Sequence, residues 1–307
     1  MEGNIRVYIT ESCNAKCDNC FNRFDRKNAS MDIEHFELIC DFFSRNNVSN
    51  IKIMGGEPTI HPNFDVFMNI AQRYFESVSL FTNGISDQIY KFFPRDNDSI
   101  IYNFRFSKAY INTEKLLLDK PGRRSLEIQI TSKTNIEKLE GQLREIDKDI
   151  KHRLNPCLTL DCTEDIFEYR SLLVEKYEYI WNLCKKLGMI VGQDHLIPFC
   201  FIKGSHIPIP RAGAKCELCC AGLIDSHYNI KYCNQFSTTL GNLFEDHCII
   251  HFNKYEKLLK MKRNELLEVN QNKGCERCPY WHIICNGGCF VAKESIQFCN
   301  FSKYIPK

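Results

Sequence analysis

Short apolar or alternating runs, each followed by a stretch with apolar positions three and four apart, repeat along roughly the first 200 residues. Ile5-Arg6-Val7-Tyr8-Ile9-Thr10 is β-branched and aromatic and predicts a first strand. Phe36, Ile39, Cys40 and Phe43 share one face of the helix expected next, with Ser30 as its cap and Cys40 as a core thiol. Asn50-Ile51-Lys52-Ile53-Met54 predicts a second strand, Phe64, Phe67, Ile70, Ala71 and Tyr74 the buried face of a second helix, and 78–82 a third strand. Further on, Phe92-Phe93-Pro94 closes a short helix, and strands are expected at 102–107, 126–131 and 158–160. Leu139, Leu143 and Ile146 mark a helix over 136–146, and a long helical pattern over 166–187 should stop at Gly188. Six strand-helix units imply parallel strands joined by right-handed crossovers. They are too few for a closed eightfold barrel of roughly 250 residues. The expected fold class is therefore α/β, an open, partial (β/α)6 barrel.

At Pro208-Ile209-Pro210-Arg211-Ala212-Gly213 the composition changes, dividing a core domain, 1–207, from a tail, 208–307, whose one helical pattern covers 255–269. The tail is rich in cysteine: of 18 cysteines in the chain, 11 lie from Cys200 to Cys299. No basic-then-apolar leader opens the chain and no apolar run approaches about 18 residues, so a soluble, cytoplasmic protein without a membrane partner is expected. Thiols kept reduced in such a setting point to metal, where a secreted chain would point to disulfides. The 40 basic and 38 acidic residues leave a net charge of +2, which gives no electrostatic reason for a nucleic-acid partner.

The chemistry begins beyond the first strand, at Cys13, Cys17 and Cys20, spaced C-x3-C-x2-C. Three thiolates on one loop hold a metal site with one corner open, whereas structural zinc and closed clusters take four protein ligands. A four-iron cluster held this way can bind a small molecule at its uncapped iron; zinc remains the alternative from spacing alone. The second expected strand runs into Gly55-Gly56-Glu57-Pro58, where adjacent glycines allow close backbone approach and an acidic residue can meet an ammonium group. The third ends in Thr82-Asn83-Gly84, ordinarily a turn, again at a strand's carboxyl end where α/β folds place ligands. His61, in Ile60-His61-Pro62, reads as part of a turn, and Cys157, Cys162, Cys184 and Cys200 have no ligand spacing.

On these residues the chain resembles the radical S-adenosylmethionine (SAM) enzymes. The aromatic residue usual before the third cysteine is replaced by Asn19, while Phe21 after Cys20 is similar to the subgroup that ends in a cysteine-rich SPASM domain. The resemblance implies the same partial barrel and a four-iron cluster on Cys13, Cys17 and Cys20. It also implies that Gly55, Gly56, Glu57 and Pro58 hold the amino group of SAM, with Phe21, Thr82 and Asn83 beside the cofactor and Ser107 at the ribose. Cys216, Cys219, Cys220-Ala221-Gly222, Cys233, Leu240-Gly241-Asn242, Cys275-x2-Cys278-x6-Cys285-x3-Cys289 and Cys299 resemble a SPASM domain. The departures are Tyr228 and Asn229 where a glycine usually precedes Cys233, and six rather than five residues after Cys278. By resemblance, Cys275, Cys278, Cys285 and Cys299 hold one auxiliary four-iron cluster. Cys233, Cys289, Cys220 and one of Cys216 or Cys219 hold a second. Two structural zincs are the rival reading of that tail.

What the resemblance implies is reductive cleavage of SAM to a 5′-deoxyadenosyl radical that takes hydrogen from a peptide, forming a crosslink or another C–H modification. An external one-electron reductant is a required partner. Asn234 stands where sulfatase-maturing relatives carry an acid, which argues against formylglycine formation. A strand starting at Ile5 leaves no room in front for a leader-binding domain, so a separate leader-binding protein or strand addition at a sheet edge is expected. The alternatives are a dehydrogenase or rearrangement acting on a small molecule, and a zinc-stabilised binding protein without catalysis.

Overall fold

The computed structural model describes residues 3–17, 20, 28–104, 114–115, 117, 119–146, 148–160, 168–193, 197, 199–202, 204–206, 221–234 and 238–272. The chain forms two compact units, Met1–Leu126 with Cys219–Arg263, and Glu127–Leu218 with Asn264–Lys307.

In the first unit, strands β1 (Asn4–Thr10), β2 (Asn50–Gly55), β3 (Ser77–Thr82) and β4 (Ser99–Phe104) are parallel neighbours in that order. Helix α1 (Ile33–Arg45) connects β1 to β2, and α2 (Phe64–Tyr74) connects β2 to β3. Alternation decides the faces: Ile5, Val7, Ile9, Ile51, Ile53, Val78 and Leu80 are fully buried, as are Phe36, Phe43 and Phe67 of the two helices. Phe36 and Phe67 meet with ring centroids 4.8 Å apart. Each such side chain removed from water contributes about 1.5–3 kcal/mol. The opposite face carries a smaller cluster of Tyr8, Met54 and Leu223, with Phe81 packed on it.

Residues 221–263 belong to this unit. Strand β8 (Leu223–Ile224) lies parallel beside β1, in register Arg6 to Leu223 and Val7 to Ile224. The ladder is extended where Ala221 N–H donates to Asn4 C=O at 2.9 Å and Arg6 N–H to Gly222 C=O at 3.2 Å. Strand β9 (Asn229–Lys231) returns antiparallel and β10 (Thr239–Asn242) pairs with it at the sheet edge. Helix α7 (Phe252–Asn272) begins in this unit, its Phe252 and Tyr255 rings against Phe42 and Phe43. The Tyr255 hydroxyl donates to Ala221 C=O. Gly222, at φ +95°, has room for no side chain there, since a Cβ would lie 2.5 Å from that hydroxyl. The expected boundary at 207/208 falls outside the described residues, and Cys219–Arg263 groups with the first unit. Its apolar run Ala221 to Ile224 finds a place on the free edge of β1, a long-range pairing no local pattern announces.

Strand β5 (Arg123–Ile130) starts in the first unit. The second unit takes up its end, helix α3 (Ile136–Arg144) capped by Asn135, α4 (Lys148–Lys151), β6 (Leu154–Leu160), α5 (Arg170–Lys186), the short β7 (Gly192–Gln193) parallel to β6, and α6 (Phe199–Ile202). Gly188 at φ +77° ends α5 as expected.

Two local expectations change. Asp32, not Ser30, caps α1, accepting from His35 N–H at 2.9 Å. Ser30 instead bridges to Thr10, with hydroxyl oxygens 2.9 Å apart. The fourth strand lies at Ser99–Phe104, earlier than predicted, because Ser79 to Thr82 of β3 take Ser99 to Tyr102 as their partners.

Candidate cofactor site

The cysteine loop is clasped to the end of β2 by backbone alone. Past the last β1–β2 pair, Thr10 with Gly55, Gly56 N–H donates to Thr10 C=O and Glu57 N–H to Ser12 C=O, each at 2.8 Å. Both glycines are required by space: a Cβ on Gly55 would lie 2.0 Å from Thr10 C=O oxygen, and one on Gly56 2.1 Å from that of Ser12. Gly55 also sits at φ +138°, which side chains disfavour. The loop carrying Cys13 therefore rests directly on the two glycines.

Glu57 turns inward and is fully buried. Its Oε1 accepts from Thr59 N–H (3.1 Å), Thr59 Oγ1 (2.6 Å) and Thr82 Oγ1 (2.8 Å), and its Oε2 from Asn83 N–H at 2.6 Å. Burial pushes its carboxyl up from the ordinary value, while those bonds pull the other way. These four bonds hold in place the carboxylate expected from the sequence at the amino group of SAM. Pro58 and Thr59 are buried in the 3-10 turn Pro58–Ile60 that Glu57 caps. His61 closes the turn, its Nδ1 accepting from Asn63 N–H at 3.1 Å, which is the turn role read from the sequence.

Thr82 and Asn83 bring the end of β3 to the same place. Thr82 Oγ1 also accepts from Gly84 N–H at 3.1 Å. Asn83 Oδ1 accepts from Ile85 N–H at 2.9 Å, and its Nδ2 donates to Asn14 Oδ1 at 2.8 Å and faces Cys13 Sγ at 3.9 Å. Ala15 N–H donates to the same sulfur at 3.4 Å. Cys13, Gly55, Gly56, Glu57, Thr82 and Asn83 thus form one cluster at three parallel strand ends.

A second cluster was not legible in the sequence. The Tyr8 hydroxyl is buried and pushed well up, first by burial and then by the neighbouring Cys233, with Cys20 adding to it. Cys20 of the first loop and Cys233 beyond β9 thus both act on that one hydroxyl. Glu11, 2% exposed, accepts from Ser226 Oγ at 2.9 Å, tying the loop's first residue to the turn after β8. A cavity of about 540 Å³ includes Ser226 in its lining, with Ser30, His35, Tyr228 and Phe244 among its other walls. Beside it Asp32 accepts from His35 and Tyr228. Against the desolvation that would raise it, those bonds hold its carboxyl at about 2.

Cys13, Cys17 and Cys20 are half-buried. Among the described residues no three His, Cys, Asp or Glu side chains are gathered tightly enough to grip a single ion. A four-iron cluster takes one thiolate at each of three irons and leaves the fourth open. Three thiols, N–H donors aimed at a sulfur and a backbone floor free of side chains fit such a cluster. Phe21, Ser107, Cys216, Cys219, Cys220, Cys275, Cys278, Cys285, Cys289 and Cys299 lie outside the described residues. Cys40 is a core thiol, fully buried on α1.

Residues 7–100 match the Radical SAM superfamily, so the chain carries a radical SAM domain over the strands that build this rim. That domain implies SAM and a four-iron, four-sulfur cluster. The chain is 27% identical over 168 residues to the S-adenosylmethionine-dependent nucleotide dehydratase of Selenomonas ruminantium, 54% of this chain and 60% of that protein. It is 31% identical over 77 residues to the antilisterial bacteriocin subtilosin biosynthesis protein AlbA of Bacillus subtilis, 25% of this chain and 17% of that protein. The chain therefore spans less than two thirds of these relatives. Among solved structures it resembles Streptococcus suis SuiB bound to precursor peptide SuiA, with TM-score 0.68 and 17% identity over 94% of this chain and 72% of that one. The likeness establishes a shared α/β fold with parallel strands. No described helix is long and apolar enough to cross a membrane.

Proposed function

We propose that this chain is a radical SAM maturase that modifies a peptide, with the SAM-binding cluster on Cys13, Cys17 and Cys20. The observation that carries the reading is the convergence of the cysteine loop, Gly55-Gly56 and Asn83 at the carboxyl ends of β1, β2 and β3. Bound there, cluster and SAM supply the 5′-deoxyadenosyl radical, given one electron from an external reductant. This chain's own residues fix the geometry: Gly55 and Gly56 let the cysteine loop lie against backbone, while Glu57, Thr59 and Thr82 lock the turn beside it.

A peptide substrate is supported by AlbA, a bacteriocin biosynthesis protein, and by the fold of SuiB, solved with a precursor peptide. Auxiliary clusters on Cys233 with Cys216, Cys219, Cys220 and Cys289, and on Cys275, Cys278, Cys285 and Cys299, belong to the same reading. So do a separate leader-binding protein and a reducing, cytoplasmic setting for the 18 thiols. Within that reading the core and tail functions divide near 207/208, although residues 221–263 join the first unit. The test is mass spectrometry of a precursor peptide from a neighbouring gene, incubated anaerobically with reconstituted enzyme, SAM and dithionite. A mass change with 5′-deoxyadenosine release supports the reading; an unchanged peptide while SAM is cleaved refutes the substrate. A small-molecule reading is favoured by the similarity to the nucleotide dehydratase, and nucleoside triphosphates in the same assay decide it.

A further inference from the structure

Asn83 is held on all sides. Its N–H donates to the buried Glu57 at 2.6 Å, and its side-chain oxygen accepts from Ile85 N–H at 2.9 Å. The second bond settles which way the amide faces, because an N–H donor at Ile85 can only be met by oxygen. The amide nitrogen is therefore the atom directed at the cysteine loop, bonded to Asn14 Oδ1 at 2.8 Å and facing Cys13 Sγ at 3.9 Å, the long end for an N–H to sulfur contact. Ala15 N–H reaches the same sulfur at 3.4 Å. Cys13 is thus a sulfur with donors from two directions, one of them a side chain carried in from another strand.

We propose that Asn83 is a positioning residue which donates to the Cys13 sulfur and raises the reduction potential of the cluster held by Cys13, Cys17 and Cys20. This rests on the cluster reading above and departs from the expected role of Asn83 as a direct contact of SAM. One-electron reduction by the external reductant places added negative charge on the cluster and its thiolates, so an N–H dipole at a ligand sulfur stabilises the reduced form more than the oxidised one. Glu57 is the support: pinned by Thr59 and Thr82, it fixes the Asn83 backbone, and Ile85 fixes the amide's sense.

The test is an EPR-monitored redox titration of the full chain with reconstituted clusters, following the signal that changes when SAM is added, which separates this cluster from any in the tail. Wild type is compared with Asn83→Ala, Asn83→Asp and Asn14→Ala, with iron and sulfide counted for each. Both Asn83 variants should shift the midpoint downward. At the wild-type midpoint the ratio of reduced to oxidised cluster should fall about three- to tenfold, less than the full worth of a hydrogen bond to a charged group because the sulfur is anionic in both forms. Asn14→Ala removes the amide's other partner but keeps its donor, and should leave that ratio within about twofold. An unchanged midpoint in both Asn83 variants at wild-type iron content overturns the proposal. So does an equal shift in Asn14→Ala, or loss of the cluster from both Asn83 variants, since either marks a purely structural brace. A wild-type chain with no SAM-sensitive cluster overturns the cofactor reading itself and the proposal with it.

Discussion

Two glutamates of the first unit are completely buried and are held in opposite ways. Glu114 Oε2 accepts from Arg124 Nε at 3.0 Å and from Tyr102 Oη at 2.8 Å, and Arg124, itself 1% exposed, also donates to Pro121 C=O at 2.9 Å. Glu57 is met, among the described residues, only by neutral donors on Thr59, Thr82 and Asn83. The Glu114 pair is electrically closed and serves the fold. Glu57 brings a carboxyl without a cation to the rim where SAM, carrying a sulfonium and an ammonium group, is expected. Burial without a counter-ion is a cost that folding alone does not explain.

Breaking the closed pair should have the largest effect on stability. Arg124→Met leaves Glu114 buried beside apolar atoms and should cost about 3–5 kcal/mol, read from denaturant unfolding. The double variant with Glu114→Leu should recover most of it, and a single variant losing under about 1 kcal/mol would erase the contrast. At the rim, Gly56→Ala puts a Cβ onto Ser12 backbone, which must shift. The expected outcome is about 1–3 kcal/mol of destabilisation and, in the same preparation, lower iron content. Glu57→Gln keeps the shape but sets an amide N–H against Asn83 N–H, at about 1–3 kcal/mol.

The pH dependence of that variant separates charge from geometry. The folded carboxyl of Glu57 is raised above its unfolded value of 4.5, so between those two values the folded state binds more protons than the unfolded one. Its contribution therefore makes stability fall as pH rises through that window, and Glu57→Gln should flatten this slope. The smallest effect belongs to the exposed cap. Asp32 sits at about 2 when folded and 3.8 when unfolded, so its contribution is present above 3.8 and lost as pH falls toward 2. Asp32→Ala should cost about 1 kcal/mol at neutral pH through loss of the cap, checked by thermal unfolding at pH 7 and pH 3.

What the sequence showed and what it hid follow one physical line. The ends of β1, β2 and β3 were readable because periodicity is local and because Gly55-Gly56 announces a backbone approach. The cap of α1 was misread by two residues, since Ser30 and Asp32 are both good caps and only the bridge from Ser30 to Thr10 decides between them. Tyr8, Glu11, Ser226 and Asn14 carried no signal, because their roles arise from contacts such as Glu11 with Ser226 across 215 positions. The pairing of β8 with β1 was invisible for the same reason: a two-residue strand is too short for periodicity and is made by its partner.

The most direct test of the vacant-corner cluster is SAM cleavage by anaerobically reconstituted chain with dithionite, for wild type and for Cys13→Ala, Cys17→Ala and Cys20→Ala, with metal content measured on the same samples. The result expected is iron with sulfide in the wild type, 5′-deoxyadenosine and methionine released by it, and no release by any of the three variants. Zinc in place of iron, or release that survives loss of these thiols, would contradict it.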